Sequence, residues 1–322
     1  MSLRVLRSIR LSKSPWSLRY HKSGQNIFTS TMLHRCKSLG VRVYEGKEVD
    51  LIEVKDWLSK YEGGSVTLTK NESLGIADIL LDHPNKRNAM SGSMMVQLGD
   101  IVEELENWKE GKGVILHGAG GILCSGGDLD FARASSGAEG GFKMACYMHE
   151  VLSRLKALHL VSAAIIHGQG ALGGGAELAT ACDWRLMTND CRGIGLVHTR
   201  MGIVPAWGAS SRLASIVGSR TALELITSSR IVTPEESLKI GLVDAIVGPG
   251  PDGDGLAEAV QWVCSHIQAD PEVIHAVKAT MASFDFHLGF DKVLEEERRI
   301  FAPLWGGPAN QKALNSRIKH LK

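Results

Sequence analysis

Two glycine-rich turns constrain this chain more than any other feature of its sequence. Cys124-Ser125-Gly126-Gly127-Asp128 lies shortly after the apolar run Val114–Leu116. Gly168 to Gly175 follows the run Leu160–Ile166 and opens a helical stretch through Thr180. Glycines at such places let the backbone turn sharply and let a ligand approach main-chain N–H groups. The first amides of a helix are also free donors that carry partial positive charge. Both properties suit a carbonyl oxygen that becomes negative during a reaction. A glycine triplet by itself serves packing or turns equally well. No Gly-Lys-Ser/Thr follows, so this is not a P-loop, and the spacing and downstream acid of a dinucleotide site are missing.

Around these turns the pattern alternates strand and helix. Ser65–Lys70 and Leu74–Leu81 read as a strand pair turning at Asn71-Glu72. The loop His83-Pro84-Asn85-Lys86-Arg87-Asn88 precedes a helix capped by Ser91, with Met94, Met95, Leu98, Ile101, Val102 and Leu105 on one face and Gly111 at its end. Helices are expected over 142–158, 207–217 and 219–228, and strands over 160–166 and 184–187. Gly248–Gly255 is a linker by composition, and three helices are expected beyond it: 256–267, 271–284 and 291–300. The chain divides into a basic segment 1–44, a linker 45–64 with an amphipathic helix (47–61) outside the core, a core 65–250 and a helical region 251–322. Such a succession argues for α/β layering with a helical tail.

Composition removes several classes of function. A net charge of +1 over 322 residues lacks the basic excess of a nucleic-acid binder. The six cysteines form no CxxC pair and no cluster with zinc spacing, so no metal site is expected. No apolar run of about 18 residues suggests a membrane span. The first 44 residues contain no Asp or Glu, and Arg4, Arg7, Arg10, Lys13, Arg19 and Lys22 are set among Leu, Ile, Val and Ser. That is the composition of a mitochondrial import signal, although Met32 offers a second start that would delete most of it.

Ser125–Leu129 and Gly168–Leu178, about 45 residues apart, resemble the two signature loops of the crotonase superfamily of acyl-CoA enzymes. Pro84–Ser91 is similar to that family's CoA-contacting loop, and Met201-Gly202-Ile203-Val204-Pro205 to its later active-site segment. The resemblance covers roughly residues 65–300. It implies an α/β spiral of ββα units (ClpP-like) with a C-terminal helical region that builds trimers or hexamers. It implies an acyl-CoA thioester as ligand and no separate cofactor. By the same resemblance, the amides of Gly127 and Gly174 form an oxyanion hole. Lys86, Arg87 and Ala89 line the entrance for the adenine and phosphates, and Gly126, Asp128, Leu129 and Trp207 border the substrate.

Hydratases of this family use two glutamates. Glu177 matches the first. The second falls four residues before Gly202, where this chain has His198. Water addition needs a positioned acid and base, so the loss of a carboxylate argues against a hydratase or isomerase. Decarboxylation needs no base to begin, and the hole is a large part of its catalysis, since one such donor is worth about 3 to 4 kcal/mol elsewhere. Val197-His198, Met201–Gly208 and Leu304–Asn310 resemble a decarboxylating branch of the family. The reaction implied is ethylmalonyl-CoA to butyryl-CoA and CO2, with slower action on methylmalonyl-CoA, as a cytosolic metabolite repair. Either Glu177 or His198 is left to protonate the α-carbon. Ala209-Ser210-Ser211 departs from the family's usual Gly-Gly-Thr and bears on the pocket wall. A non-catalytic acyl-CoA-binding protein is the remaining alternative.

Overall fold

The computed structural model describes residues 42–250 and 252–285, with Arg298 and Phe301 beyond them. A small antiparallel hairpin, β1 (Val43–Tyr44) and β2 (Lys47–Glu48), leads into helix α1 (Leu51–Leu58), whose first turn is capped by Asp50 accepting from the Ile52 amide at 2.8 Å. The amphipathic helix expected over 47–61 is thus shorter, because Lys47 and Glu48 are spent in the hairpin. It is also not outside the core: Val54 and Leu58 are buried in the main hydrophobic cluster.

The central sheet has six strands. β3 (Ser65–Asn71) runs antiparallel to β4 (Ile76–Asp82). Beyond β4 the strands are parallel: β5 (Gly113–Gly118), β6 (Val161–Ile166), β8 (Trp184–Thr188) and, at the far edge, β10 (Ala245–Val247). β5 and β6 are buried along nearly their whole length, as expected for parallel strands covered on both faces. Helix α2 (Gly92–Leu105), capped by the Ser91 hydroxyl, lays Met94, Met95, Leu98 and Leu105 into the main core. It stops six residues short of Gly111.

The other face of the sheet carries Ile76, Ile115, Ile165 and Leu186, and α9 (Leu256–His266) covers them with Ala259 and Val263. At residue 250 the chain therefore passes from strand to helix while still packed on the sheet. α10 (Pro271–Asp285) follows. The helix expected over 291–300 and the motif 304–310 lie outside the described residues, as does the basic segment up to residue 41. Several short elements escaped the sequence reading, among them α3 (Leu129–Ala134), α8 (Pro234–Lys239) and β10. None is long enough to establish a hydrophobic period.

The fold brings three loops together at the carboxyl ends of neighbouring strands, where open α/β sheets bind ligands. β4 leads into 83–91, β5 into 119–128 and β6 into 167–173. A second layer of short pairings laces them. The pair β7 (Ala171–Leu172) and β9 (Ile194–Gly195) is parallel, and isolated bridges join Met90 to Gly127, Ile122 to Gly168 and Cys124 to Ala171.

Candidate active site

The two glycine turns touch. The Leu172 amide donates to Cys124 O at 3.0 Å, and a methyl group on Gly126 would sit 3.4 Å from the Gly174 nitrogen. The Met90–Gly127 bridge is made by Met90 N–H to Gly126 O (2.8 Å) and Asp128 N–H to Met90 O (2.9 Å). This pattern skips the Gly127 amide, and no Cβ neighbour lies within 4 Å of Gly127. Gly174 is the first residue of α5 (Gly174–Ala181), whose first intrahelical bond is Glu177 N–H to Gly173 O. The Gly174 amide is among the donors a helix start leaves unused.

Each glycine of the triplet has its own steric reason. Gly173 takes φ 54°, a Cβ on Gly174 would strike the Trp207 ring at 2.5 Å, and one on Gly175 would strike the Cys124 carbonyl at 2.1 Å. Cys124 itself is no nucleophile, since burial pushes its thiol up to about 12.

Glu177 lies on the first turn of α5 and is 2 % exposed. Its carboxylate is saturated with donors. Oε1 meets His198 Nε2 at 3.0 Å and the Ala206 amide at 3.1 Å; Oε2 accepts from the Trp207 amide at 2.7 Å and the Ala209 amide at 3.1 Å. The helix expected from 207 begins only at Ala209, as α6 (Ala209–Val217), because Gly208 takes φ 91°, outside the right-handed helical region. His198, in the 3-10 turn Val197–Met201, is also buried. Its Nδ1 has no hydrogen-bond partner among the described residues. Trp207 is buried with its ring edge over Gly174 and its Nε1–H directed to Met144 Sδ at 2.7 Å.

The entrance residues divide. Arg87 is exposed, sits in the left-handed region at φ 53°, and its guanidinium has no partner among the described residues. Lys86 is committed: its ammonium contacts Asp128 Oδ2 and Asp130 Oδ2, both at 2.7 Å, and those hydrogen bonds raise its pKa. Burial alone would raise Asp128, but Lys86 and the Asp130 amide outweigh it and hold the carboxyl below its ordinary value. Asp128 also caps α3, so its carboxylate serves the loop rather than facing a ligand. Leu129 is half exposed, and Ala89 is buried with its carbonyl 3.0 Å from His83 Nδ1.

Two contributors were invisible beforehand. Asn88, fully buried, donates to Ala119 O and Ile122 O and accepts from the His83 amide. Arg212 donates to the carbonyls of Glu177 and Trp207. An Asn in a Pro-Asn-Lys-Arg-Asn loop carries a turn signal that can be read. Arg212 has none, because on paper it is one more charge on an amphipathic helix. Among the described residues no cluster has the make-up of a metal site, and no helix is long and apolar enough to cross a membrane.

Comparison with known proteins agrees with this arrangement. Residues 71–311 match the family model described as enoyl-CoA hydratase/isomerase. Ethylmalonyl-CoA decarboxylase of Mus musculus is 42% identical over 299 residues, covering 92% of each chain. That of Danio rerio is 45% identical over 271 residues, covering 84% of this chain and 89% of its own. Among solved structures, an enoyl-CoA hydratase from Geobacillus kaustophilus superposes with TM-score 0.71 at 23% identity, over 79% of this chain and 93% of its own. One from Thermoplasma volcanium gives 0.69 at 24%, over 79% and 97%. With a family match over most of its length and relatives at 42% and 45% identity, the chain belongs to the enoyl-CoA hydratase/isomerase family, the crotonases.

Proposed function

We propose that this chain is a carboxy-lyase that converts ethylmalonyl-CoA to butyryl-CoA and CO2, and acts more slowly on methylmalonyl-CoA. One observation carries the reading beyond the relatives' names. The double glycine turn is served by a single carboxylate, and that carboxylate is already filled by three amides and a histidine. A hydratase needs a second acid or base to hold water, and His198 occupies that position.

The chemistry follows from where charge gathers. The thioester oxygen takes hydrogen bonds from the Gly127 and Gly174 amides. With the α-carboxylate perpendicular to the thioester plane, the C–C bond breaks, CO2 leaves, and its electron pair enters the carbonyl as an enolate. The amides stabilise that oxyanion more than the starting carbonyl, which is what lowers the barrier. The Trp207 ring beside Gly174 supplies an apolar wall that favours neutral CO2 over the carboxylate it came from.

One proton must then reach the α-carbon. Of the two candidates, His198 fits better. Glu177 has no acceptor capacity to spare in the plane of its carboxylate, whereas His198 keeps a nitrogen without a partner among the described residues. Glu177 fixes the ring through Nε2, and Nδ1 carries the proton. Arg87, whose guanidinium has no partner among the described residues, would meet the CoA phosphates, with Lys86 holding the loop beside it. The reading includes no metal, biotin or nicotinamide, a homotrimer or paired trimers, and the cytosol as compartment.

The test is CO2 release from each enantiomer of ethylmalonyl-CoA, run beside hydration of crotonyl-CoA. We expect CO2 from one enantiomer and little hydration. His198→Gln should slow turnover by about 100-fold or more, the usual scale for a lost proton-transfer group. Rapid hydration with no CO2 from either enantiomer would overturn the activity; a His198→Gln enzyme as fast as wild type would remove the histidine's role alone.

A further inference from the structure

Behind the catalytic turn lies a cavity of about 720 Å3 whose lining includes His149, Thr180, Gly208, Ser211 and Arg212. None of Gly127, Gly174 or His198 borders it, so it is not the thioester site. What reaches from its wall into the site is one side chain. Arg212 Nη2 donates to the Glu177 carbonyl at 3.0 Å and to the Trp207 carbonyl at 2.9 Å. The Thr180 hydroxyl adds a third bond to the same junction, donating to Glu177 O at 2.9 Å.

These contacts complete a reciprocal clasp between α5 and the 206–209 turn. The Glu177 side chain binds the turn's amides, and the Arg212 side chain, just past the turn, binds the Glu177 main chain and the turn's own carbonyl. Room for the guanidinium is made by the backbone. Gly208 sits at φ 91°, and a Cβ there would lie 2.7 Å from Arg212 Nη1. The arginine makes no ion pair among the described residues; its hydrogen bonds go to two carbonyls and, at 3.5 Å, to the Thr180 hydroxyl. Burying a guanidinium without a hydrogen-bonded carboxylate is costly. Burial lowers its pKa to about 10, with Glu177 and, less, Cys182 opposing through their charge. A surface arginine on an amphipathic helix would avoid that cost.

We infer that Arg212 is a positioning residue for the decarboxylation, fixing from behind both the Trp207 ring against Gly174 and the Glu177 carboxylate that orients His198. Through one nitrogen it sets the oxyanion turn and the proton carrier together. Both bonds leave the same nitrogen, Nη2, so the guanidinium's reach and the fixed directions of that atom's two N–H groups are what let it bridge two carbonyls from different elements. The inference rests on the decarboxylase reading for its kinetic test and on geometry alone for a second one.

The experiment compares wild type, Arg212→Ala and Arg212→Lys. In CO2 release from ethylmalonyl-CoA, Arg212→Ala should lower kcat roughly 10- to 100-fold, the range for lost supporting shells, with KM nearly unchanged. Arg212→Lys, whose side chain ends one bond short of the position of Nη2, should recover only part of the rate, and it carries the same test if the alanine variant fails to fold. Amide hydrogen exchange supplies the independent readout: Trp207 and Ala209 should lose protection in the variants while β5 and β6 keep theirs. An unchanged kcat, a loss confined to KM, or a lysine variant equal to wild type overturns the proposal. Should wild type release no CO2, the activity reading fails by itself and exchange at Trp207 and Ala209 decides the role of Arg212: deprotection upholds it, unaltered protection overturns it.

Discussion

At Gly174 a single added methyl tests the site's tolerance. The Cβ of an alanine would fall 2.5 Å from Cζ3 and 2.7 Å from Cη2 of Trp207. Neither partner yields easily: the ring is buried and tethered to Met144, and the glycine is fixed as the first residue of α5. Relief must come by moving the ring or the amide, and either disturbs the proposed oxyanion donor. We expect Gly174→Ala to cost about 1 to 3 kcal/mol of stability, as overpacked cores do, and to lower kcat about 100-fold, the scale of one lost donor. Gly127→Ala is the control for the steric argument, because nothing lies within 4 Å of its added carbon. Its stability in urea should match wild type. Equal stability losses for both alanine variants would show that the clash with Trp207 is not the cause.

At the scale of elements, the loop 83–91 depends on Asn88 as much as on its ends. Asn88 occupies the left-handed region at φ 54°, which asparagine tolerates better than alanine. Its side chain accepts from His83 N–H at 2.8 Å and donates to Ala119 O at 2.7 Å and Ile122 O at 2.8 Å, tying the 83–91 loop to the β5 loop. Asn88→Ala leaves an amide and two carbonyls without these partners, for an expected loss of about 2 to 4 kcal/mol. Urea unfolding measures it, and Asn88→Gly, which relieves the backbone but restores no bond, should remain nearly as unstable. The same loop shows what a sequence conveys. Ser91 as a helix cap, the apolar face beginning at Met94, the buried strands and the two glycine turns all follow from local chemistry and period. What Lys86 touches does not. Its ammonium is spent on Asp128 and Asp130, more than forty positions away, and only the juxtaposition of two strand ends reveals this. Likewise Glu177 stands out as a candidate site carboxylate only through the family resemblance. Its saturation by three amides depends on a turn thirty residues on, and so does the part played by Arg212. Helix α1 was misplaced for a related reason: an eight-residue amphipathic segment does not say which surface its apolar side will meet.

At the scale of the whole molecule, α5 is a strut with chemistry at one end and an anchor at the other. Its amino end carries Gly174; just past its carboxyl end, Asp183 gathers the chain. The Asp183 carboxylate accepts from the Ser162 amide at 2.8 Å and hydroxyl at 3.0 Å, pairs with Lys156 at 3.1 Å, and meets Lys278 of α10. One side chain thereby joins β6, α4 (Ala138–Ala157) and the C-terminal helix. Burial alone would raise its pKa, but the two ammonium groups and the Ser162 amide outweigh it and hold the carboxyl at about 2. Its folded pKa thus lies below its unfolded value, so the folded state binds this proton less readily. The contribution is fully present above the unfolded pKa of about 4 and drains away as pH falls towards 2, amounting to about 2 kcal/mol by linkage. Asp183→Asn keeps the shape without the titration. In urea unfolding at fixed protein concentration, wild type should exceed the variant by a constant margin from neutral pH to about pH 5, and the margin should shrink between about pH 4 and pH 2. A margin independent of pH would mean that Asp183 holds its neighbours by packing and hydrogen bonds alone, and that its charge does not fasten α10 to the core.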